Sequence, residues 1–549
     1  MIKKGTIIFL FNLLILGISL LLYPKFQTND DIAMVYAYSG YEVFDNPTPF
    51  TVFSSKIWGL LMVLLYKSFS SSPFEIYTAI FVLLIFVSFQ IIMSRLLRNI
   101  SIHSFGYWAV LILTGFFIEL QFYLELQFTM VAGIVALGGY LQLAGQKNKW
   151  DIASGLLLII IATCIRPSIV PMVICFFTAF YGVGLLLSGI KIKQALKQTI
   201  IITFVIVIPL IINQVDKRLL NTNENQFLEF NTFRANIVDF NILEKKEFNS
   251  EIAAMGWSNH EIALFYNWFF NDSILYQSGH LNQKIINHNM AGAVTSDNFK
   301  LAFIHDFFNQ YNYNFTIKCL FIIACIVLVL TSFSKSSLLL FGLYFLIALS
   351  LFFIIAVFFK LPPFRMSFLL LSIGVIFLFY FSMDKMNVST HKLFTVTAIL
   401  LMLFTGQRMT KNLLYRREYA DQRICRDIYS TEKMYIRWPY YPVEGVNPYQ
   451  ITTQKRSKIK IIDMGSFSVH PAVKLQFKNT QFKNLTNDII GKDSIISFIL
   501  PNNEADWSNF KSNYIMFIKK HYKRNVYFKK EPISTFCPGY SEFKLIETF

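Results

Sequence analysis

Charged residues are scarce in this sequence. Asp, Glu, Lys and Arg make up 15% of its 549 residues, whereas soluble globular domains contain about 25%. Hydrophobic residues make up 54% of the chain and aromatic residues 17%. This composition argues against a soluble globular protein and predicts an integral membrane protein.

Several recognition patterns are also missing. No nucleic-acid-binding motif accompanies the net charge of +17, and basic loops beside apolar runs explain much of that charge as the positive-inside bias. We therefore expect membrane lipids, and no nucleic acid, as partners. The six cysteines form no CxxC or Cys/His metal pattern. Cys425 and Cys537 could form a disulfide if the C-terminal region is extracytoplasmic, and the sequence leaves this open.

The N-terminal run that ends near Tyr23 resembles a signal peptide but lacks a small-residue cleavage pattern, which predicts an uncleaved first helix. Further apolar runs follow, and a spanning helix needs roughly 20 such residues. We expect spans near 5–23, 74–93, 102–119, 125–144, 152–165, 169–188, 198–214, 316–334, 336–357, 364–383 and 391–406. The sequence thus predicts an α-helical polytopic membrane protein with about eleven spans.

The apolar stretch 52–66 is ambiguous, and the positive-inside rule assigns it. If it crossed the membrane, Arg95 and Arg98 would lie outside, and every later basic loop would change sides. If it lies along the outer interface or is re-entrant, the short basic loops all lie inside. We therefore expect an interfacial or re-entrant helix at 52–66.

This topology divides the chain into a transmembrane domain, 1–406, and a periplasmic C-terminal domain, 407–549. Two further outer regions are expected, a first loop at 24–73 and a long loop at 215–315. The C-terminal domain is expected to be a small α+β unit. Its predicted elements are a helix at 410–434 and strands at 458–463, 472–477 and 494–500.

An acidic pair, Asp30-Asp31, directly follows the first span in the segment "TNDDIAMVYAYSGY" at 28–41. A carboxylate just outside the membrane could act as a general base towards an acceptor hydroxyl, or could bind a metal. The alternative is a solvated start of a loop.

Three cations are expected at the same outer face. Arg166 lies between two spans, and Lys360 and Arg365 belong to the turn "KLPPFR". Guanidinium groups bind phosphate oxygens bidentately, so these residues could hold a lipid phosphate and stabilise charge on a leaving group. Singly, each could instead be a cation that snorkels to lipid headgroups.

The segment 255–272 in the long outer loop is rich in aromatic residues. Its ordinary interpretation is an amphipathic helix lying on the membrane, because Trp and Tyr favour headgroup depth. The functional alternative is contact with a sugar or acceptor by Trp268 or Asp272, and Glu125 at another outer turn is a further candidate.

These residues resemble the GT-C superfamily of polytopic glycosyltransferases, in an uncharacterised bacterial branch. The resemblance rests on the first span followed by Asp30-Asp31, the amphipathic stretch 34–66, and a second span that ends in "SRLLRN" at 94–99. The segments "GLLLIIIATCIRPS" at 155–168, "GWSNHEIALFYNW" at 256–268 and "KLPPFR" at 360–365 are also similar to segments of that group. The resemblance covers roughly residues 1–405, mostly as an arrangement.

The resemblance implies juxtamembrane helices at 34–46 and 52–66, a catalytic base at Asp31 or Asp30, and a phosphate site formed by the three cations named above. Members of the superfamily often have a second acidic metal ligand. Here only Glu119, Glu125 or Asp272 could supply it, so dependence on Mg or Mn is left open.

The expected function is transfer of a sugar from a polyprenyl-phosphate donor to a glycan or lipid acceptor on the periplasmic side of a bacterial inner membrane. A nucleotide-sugar donor is not expected, because the cytoplasmic loops are too short for a Rossmann domain. The alternatives are a polysaccharide polymerase or ligase with a lipid-linked donor, a lipid or oligosaccharide transporter, and a scaffold with a sensing outer domain. A transporter would be expected to show repeats and midplane charges.

Overall fold

The computed structural model describes most of the N-terminal half and parts of the C-terminal half. Described are residues 3–187 with short gaps at 23, 42–43, 45, 70–72 and 146–147, then 205–238, 249–270, 315–330, 341–346, 364–382, 434–438, 460–465, 470–473, 489–490, 496–537 and 540–548, and isolated residues or pairs between these ranges.

The described helices are α1 Lys4–Leu21, α2 Asn29–Ser39, α3 Lys56–Phe69, α4 Glu75–Leu96, α5 Phe105–Thr114, α6 Leu120–Leu124, α7 Phe128–Ala144, α8 Lys149–Ile165, α9 Ile169–Leu187, α10 Val207–Leu219, α11 Thr222–Val238, α12 Asn249–Ala254, α13 Asn259–Tyr266, α14 Phe315–Leu330, α15 Phe364–Ser382 and α16 Ser508–Tyr522. A π-helical turn, Gly115–Glu119, joins α5 to α6. The strands are β1 Lys25–Phe26, β2 Glu125–Leu126, β3 Met434–Arg437, β4 Lys460–Asp463, β5 Ile496–Pro501, β6 Val526–Cys537 and β7 Tyr540–Glu547.

Within the described part of the chain, three helical stretches are long and apolar enough to cross a membrane: Lys4–Leu21, Glu75–Leu96 and Phe105–Leu124. Among the shorter apolar helices, α7 packs against α4, and α9 packs against α7. The protein is therefore helical and membrane-associated, as the composition predicts. The predicted number of about eleven spans stays a prediction.

The segment predicted to be the first outer loop contains two helices, although their bounds differ from the prediction at 34–46 and 52–66. Helix α2 begins early. Thr28 is its N-cap residue and donates its hydroxyl to Asp31, and the acidic pair fills the first turn, where the helix dipole favours negative charge. It ends at Gly40, whose φ of +68° suits glycine. Helix α3 begins at Lys56, and a Cβ on Gly59 would lie 1.8 Å from the Pro49 carbonyl oxygen, so glycine permits this close approach.

A short parallel pairing joins the first outer loop to the turn after α6. Lys25 pairs with Glu125, and Phe26 pairs with Leu126. The predicted span 125–144 therefore begins as a strand, and its helix starts at Phe128. The pairing draws the start of α7 towards the start of α2, where the acidic pair lies.

The C-terminal region contains a mixed five-stranded sheet in the order β4-β3-β5-β7-β6. Strands β3, β4 and β5 are parallel, whereas β7 is antiparallel to both of its neighbours. The predictions of strands at 458–463 and 494–500 are confirmed by β4 and β5. The predicted strand at 472–477 is wrong at its start, because residues 471–473 are helical. Most of the predicted helix 410–434, and Cys425 with it, lies outside the described residues.

The aromatic segment 255–272 packs against protein. Helix α13 packs on α16 of the C-terminal domain, and Leu264 and Phe269 are buried in that domain's hydrophobic core. Phe265 and Phe270 are buried instead in a second cluster with residues of α11. The predicted position of this segment on the membrane surface stays a prediction, since the structure shows only that much of it is buried in protein. Alternating faces of one short segment fill two protein cores, and hydropathy alone does not distinguish this from an interfacial helix.

Candidate functional site

The Asp31 carboxylate is fully buried and accepts three hydrogen bonds. The Thr28 hydroxyl donates to Oδ2 at 2.8 Å. The Tyr77 hydroxyl donates to Oδ1 at 2.8 Å, and the Phe128 backbone N–H donates to the same oxygen at 2.9 Å. Asp31 therefore ties the first turn of α2 to the first turns of α4 and α7.

Burial raises the pKa of Asp31 to about 7, although the three hydrogen bonds oppose the shift. The negative charge of neighbouring Asp30 adds to the increase. Asp31 is thus poised to change charge near neutral pH. Asp30 is only half-buried and presents the accessible surface of the pair.

Arg166 is directed towards this region by its position at the end of α8. Pro167 follows it and disfavours a helical conformation for the preceding residue, and Arg166 has extended backbone angles, φ −149° and ψ 91°. Its Nη1 donates to the Phe53 carbonyl oxygen at 2.9 Å. The guanidinium carbon lies 5.5 Å from the Phe53 ring centroid and 5.3 Å from that of Phe128, within the range of cation–π attraction.

The charges of Arg365 and Asp30 both act on Arg166. Burial lowers the pKa of Arg166 to about 10, the positive charge of Arg365 lowers it further, and Asp30 opposes the shift. Arg365 is the second residue of α15 and is half-buried. Arg166 thus experiences the charges of a cation and a carboxylate that are distant from it in sequence.

No protein-family model and no curated protein matches the chain. Interpretation of the site therefore depends on its own geometry.

The other candidate residues lie in different places. Lys360 falls outside the described residues. Glu125 pairs with β1 and accepts from Gln27 Nε2 at 3.5 Å, which places it beside the first outer loop. Asp272 is fully buried and accepts from the Tyr522 hydroxyl at 2.7 Å, so it links the long outer loop to α16. Trp268 is half-buried, and Arg234 lies 4.8 Å from its ring centroid.

Metal binding finds little support in this arrangement. Across the residues that the structure describes, no three His, Cys, Asp or Glu side chains are grouped so that they could hold a metal ion. Both Asp31 oxygens already accept hydrogen bonds, and Asp30 lies beside cations. Dependence on Mg or Mn stays a prediction.

The C-terminal region contacts the first outer loop beside the site. His470 is buried with its ring centroid 5.3 Å from Phe44, 5.2 Å from Phe50 and 5.3 Å from Phe227. Its Nδ1 accepts from the Ala472 N–H at 3.2 Å, so its Nε2 carries the hydrogen and donates to the Phe50 carbonyl oxygen at 3.1 Å. Burial lowers the pKa of His470 to about 4, which keeps the imidazole neutral.

The residues that donate hydrogen bonds to Asp31 were not predicted from the sequence. Thr28 carried a usable signal, because a threonine three residues before an acidic residue is typical of a helix N-terminus. Tyr77 and Phe128 carried none, because each lies at the start of a different apolar run. Their roles depend on which helix ends meet in space.

Proposed function

We propose that this protein is a glycosyltransferase that moves a sugar from a polyprenyl-phosphate donor to a glycan or lipid acceptor at the outer face of a bacterial inner membrane. The observation that carries the proposal is that Phe128 contacts both Asp31 and Arg166, while the charges of half-buried Asp30 and of Arg365 both act on Arg166. A base and two phosphate-binding cations are the groups that displacement of a lipid phosphate needs.

Asp30 is the catalytic base in this proposal, and Asp31 is a positioning residue. A base must come within hydrogen-bond distance of the hydroxyl proton. Asp31 has no exposed surface and holds three donors, whereas Asp30 is accessible. Ionised Asp31 also makes Asp30 a stronger base, because like charges disfavour each other's ionised forms.

The reaction is a direct displacement with inversion at the anomeric carbon. The acceptor oxygen forms a bond to that carbon while the bond from the carbon to the phosphate oxygen breaks. The electron pair stays with the departing polyprenyl phosphate, where Arg166 and Arg365 stabilise the negative charge. The acceptor proton moves to Asp30. Lys360, which shortly precedes Arg365 in the sequence and lies outside the described residues, is proposed as a third phosphate ligand.

The proposed outward orientation has support in the distribution of basic residues. Lys4, at the start of α1, donates through Nζ to the carbonyl oxygens of Arg98 at 3.0 Å and Ile100 at 2.6 Å. Lys4 therefore lies beside the end of α4, where Arg98 follows, as the proposal expects if these two basic residues share the inner side of the membrane. Three accessible leucines of α3, Leu60, Leu61 and Leu64, suit a helix covered by lipid.

The test is transfer of radiolabelled sugar by the purified full-length protein. Polyprenyl-phosphate sugars extracted from the organism serve as donors and its envelope glycans as acceptors, with nucleotide-sugars as the control donor. The proposal predicts labelled glycan with an inverted anomeric configuration and released polyprenyl phosphate. Transfer from nucleotide-sugars, or none from any lipid-linked sugar, would contradict it. Movement of unmodified lipid-linked sugar across vesicles would favour a transporter instead.

A further inference from the structure

Glu119 places a carboxyl group inside an apolar helical stretch. It belongs to Phe105–Leu124, which is long and apolar enough to cross a membrane, and its side chain is fully buried. An ionised carboxylate in such surroundings is costly unless a cation accompanies it. Among the residues that the structure describes, no cation pairs with Glu119. The proposed sugar transfer assigns this group no part.

The backbone around Glu119 is also unusual. Residues Gly115–Glu119 form the π-helical turn between α5 and α6, and a Cβ on Gly115 would overlap the Phe11 ring of α1. Glycine therefore permits the close approach of this turn to α1. Single π-helical turns within longer helices occur frequently at functional sites. The approach brings the Glu119 carboxyl beside the fully buried amide of Asn12.

A chain of polar side chains connects Glu119 to α1 and α4. The Tyr123 hydroxyl donates to Glu119 Oε1 at 3.3 Å. On the other side, Asn12 Nδ2 donates to Gln90 Oε1 at 3.2 Å, and Gln90 Nε2 donates to the Gly5 carbonyl oxygen at 3.2 Å. Asn12 Oδ1 then lies 3.2 Å from Glu119 Oε2. Two oxygens at this distance need a hydrogen between them, and an amide oxygen carries none.

Rotation of the Asn12 amide is the alternative, because it would turn the nitrogen towards Glu119. The Asn12 oxygen would then lie 3.2 Å from Gln90 Oε1, which is the same conflict one step further along. Rotation of Gln90 as well would remove that conflict, but Gln90 would no longer donate to Gly5. The Gln90 backbone nitrogen also lies 3.3 Å from the Asn12 amide, but its hydrogen belongs to the helical hydrogen bonding of α4. A proton on Glu119 satisfies the whole chain without any rotation.

From the direction of these hydrogen bonds, the burial and the π-helical turn, we infer that Glu119 is a proton-binding site in the apolar helical part of the protein. The bound proton is on Oε2 and is donated to Asn12 Oδ1. Release of the proton would leave two acceptors facing each other, so that both amides would have to turn and Gln90 would release Gly5. The proton thereby stabilises one arrangement of α1, α4 and the π-helical turn. The inference does not depend on the proposed function.

Infrared spectroscopy of the purified full-length protein tests the inference, because a protonated carboxylic acid has a C=O stretching band that an ionised carboxylate lacks. The spectra are recorded at pH 8.5, where exposed carboxylates are ionised and Asp31, with a pKa of about 7, is mostly ionised. Wild type is compared with Glu119→Gln and Tyr123→Phe. Glutamine can donate to Asn12 and accept from Tyr123 as the protonated acid does, so the fold is retained, and thermal unfolding verifies this.

We expect Glu119→Gln to lose one carboxylic acid band that wild type shows at pH 8.5. Tyr123→Phe should keep this band but move it to higher frequency, because the hydrogen bond to the Glu119 carbonyl oxygen is removed. The controls are Glu229→Gln, an exposed carboxylate, and Tyr140→Phe, whose hydroxyl has no hydrogen-bond partner in the described part of the chain. Both controls should leave the band unchanged. A band that is unaffected by Glu119→Gln, or that does not move in Tyr123→Phe, would overturn the inference.

Discussion

Phe128 connects the two charged parts of the candidate site, because its N–H donates to Asp31 Oδ1 at 2.9 Å while its ring lies 5.3 Å from the Arg166 guanidinium carbon. One residue at the start of α7 thereby fixes the distance between the acidic pair and a phosphate-binding cation. Displacement of either partner is expected to alter the other.

The hydrogen bond from Tyr77 to Asp31 is expected to stabilise the candidate site. Tyr77→Phe removes the hydroxyl that donates to Asp31, which we expect to lower the free energy of unfolding by about 1–3 kcal/mol. Sugar transfer should also fall, because Asp31 loses a positioning contact. The control is Tyr140→Phe, since the Tyr140 hydroxyl is buried without a hydrogen-bond partner in the described part of the chain. Equal effects of the two variants on thermal unfolding and transfer would contradict the role of Tyr77.

The charge of Asp31 should appear in the pH dependence of transfer. Its pKa of about 7 means that Asp31 ionises as the pH rises through neutrality, and the added charge makes Asp30 a stronger base. We expect the wild-type rate to rise through about pH 7 and Asp31→Asn to lose this rise. An unchanged pH profile in Asp31→Asn would show that another group titrates.

Ionisation of Asp31 is expected to lower the stability of the fold, although it is expected to favour sugar transfer. The pKa of folded Asp31 lies above its ordinary value, so its contribution to stability is complete at low pH and is lost as the pH rises through about 7. Asp31→Asn keeps an oxygen for Tyr77 and Phe128, and its amide can donate to the Thr28 hydroxyl. We therefore expect thermal unfolding of Asp31→Asn at pH 8.5 to occur at or above the wild-type temperature. Large destabilisation at that pH would contradict this account.

Arg365 is expected to contribute to binding of the lipid-phosphate donor. Arg365→Ala is expected to raise the KM for the lipid-phosphate donor about ten- to a hundredfold, because a hydrogen bond to a charged group is lost. Arg365→Lys should recover only part of this, since an ammonium group cannot bind phosphate bidentately. Arg98→Ala is the control, because Arg98 is exposed at the end of α4. A donor KM that is unchanged in Arg365→Ala would remove Arg365 from the phosphate site.

The stability of the fold should decrease in mildly acidic solution because of His470. Its folded pKa of about 4 lies below the ordinary value of 6.5, so its contribution is complete above about pH 6.5 and is lost as the pH falls towards 4. The full loss is about 3 kcal/mol. We expect His470→Gln to remove this part of the pH dependence of thermal unfolding. Parallel curves for wild type and His470→Gln would contradict the neutral, buried imidazole.

The sequence predicted the positions of the helices along the chain better than the contacts between their ends. Apolar runs located α1, α4 and α9 to within a few residues, because a continuous run of this length has few alternatives to a helix. The positions of Asp30, Asp31 and Arg166 as a group were predicted from topology, since residues at the outer ends of spans share one surface. Which member is buried was not predictable, because burial of Asp31 depends on Tyr77 and Phe128.

The packing of the long outer loop against the C-terminal region was also not predictable from the sequence. The aromatic residues of 255–272 have the composition of an interfacial helix, yet Leu264 and Phe269 complete the core of a domain more than 150 residues away in sequence. Glu261 strengthens this junction. Although burial alone would raise the pKa of Glu261, hydrogen bonds from Ser258, His521 and Lys520 lower it to about 2. Long-range pairing of this kind leaves no local pattern.

The central claim is that Asp30 accepts the acceptor's proton during transfer of a sugar from a lipid phosphate. The decisive measurement is the rate of labelled-sugar transfer by Asp30→Asn, beside wild type and Glu229→Gln, an exposed carboxylate on α11. Asp30→Asn should lose at least about a hundredfold in rate, as expected for a missing general base, with Glu229→Gln unaffected and both variants folded. Full activity of Asp30→Asn would contradict the account.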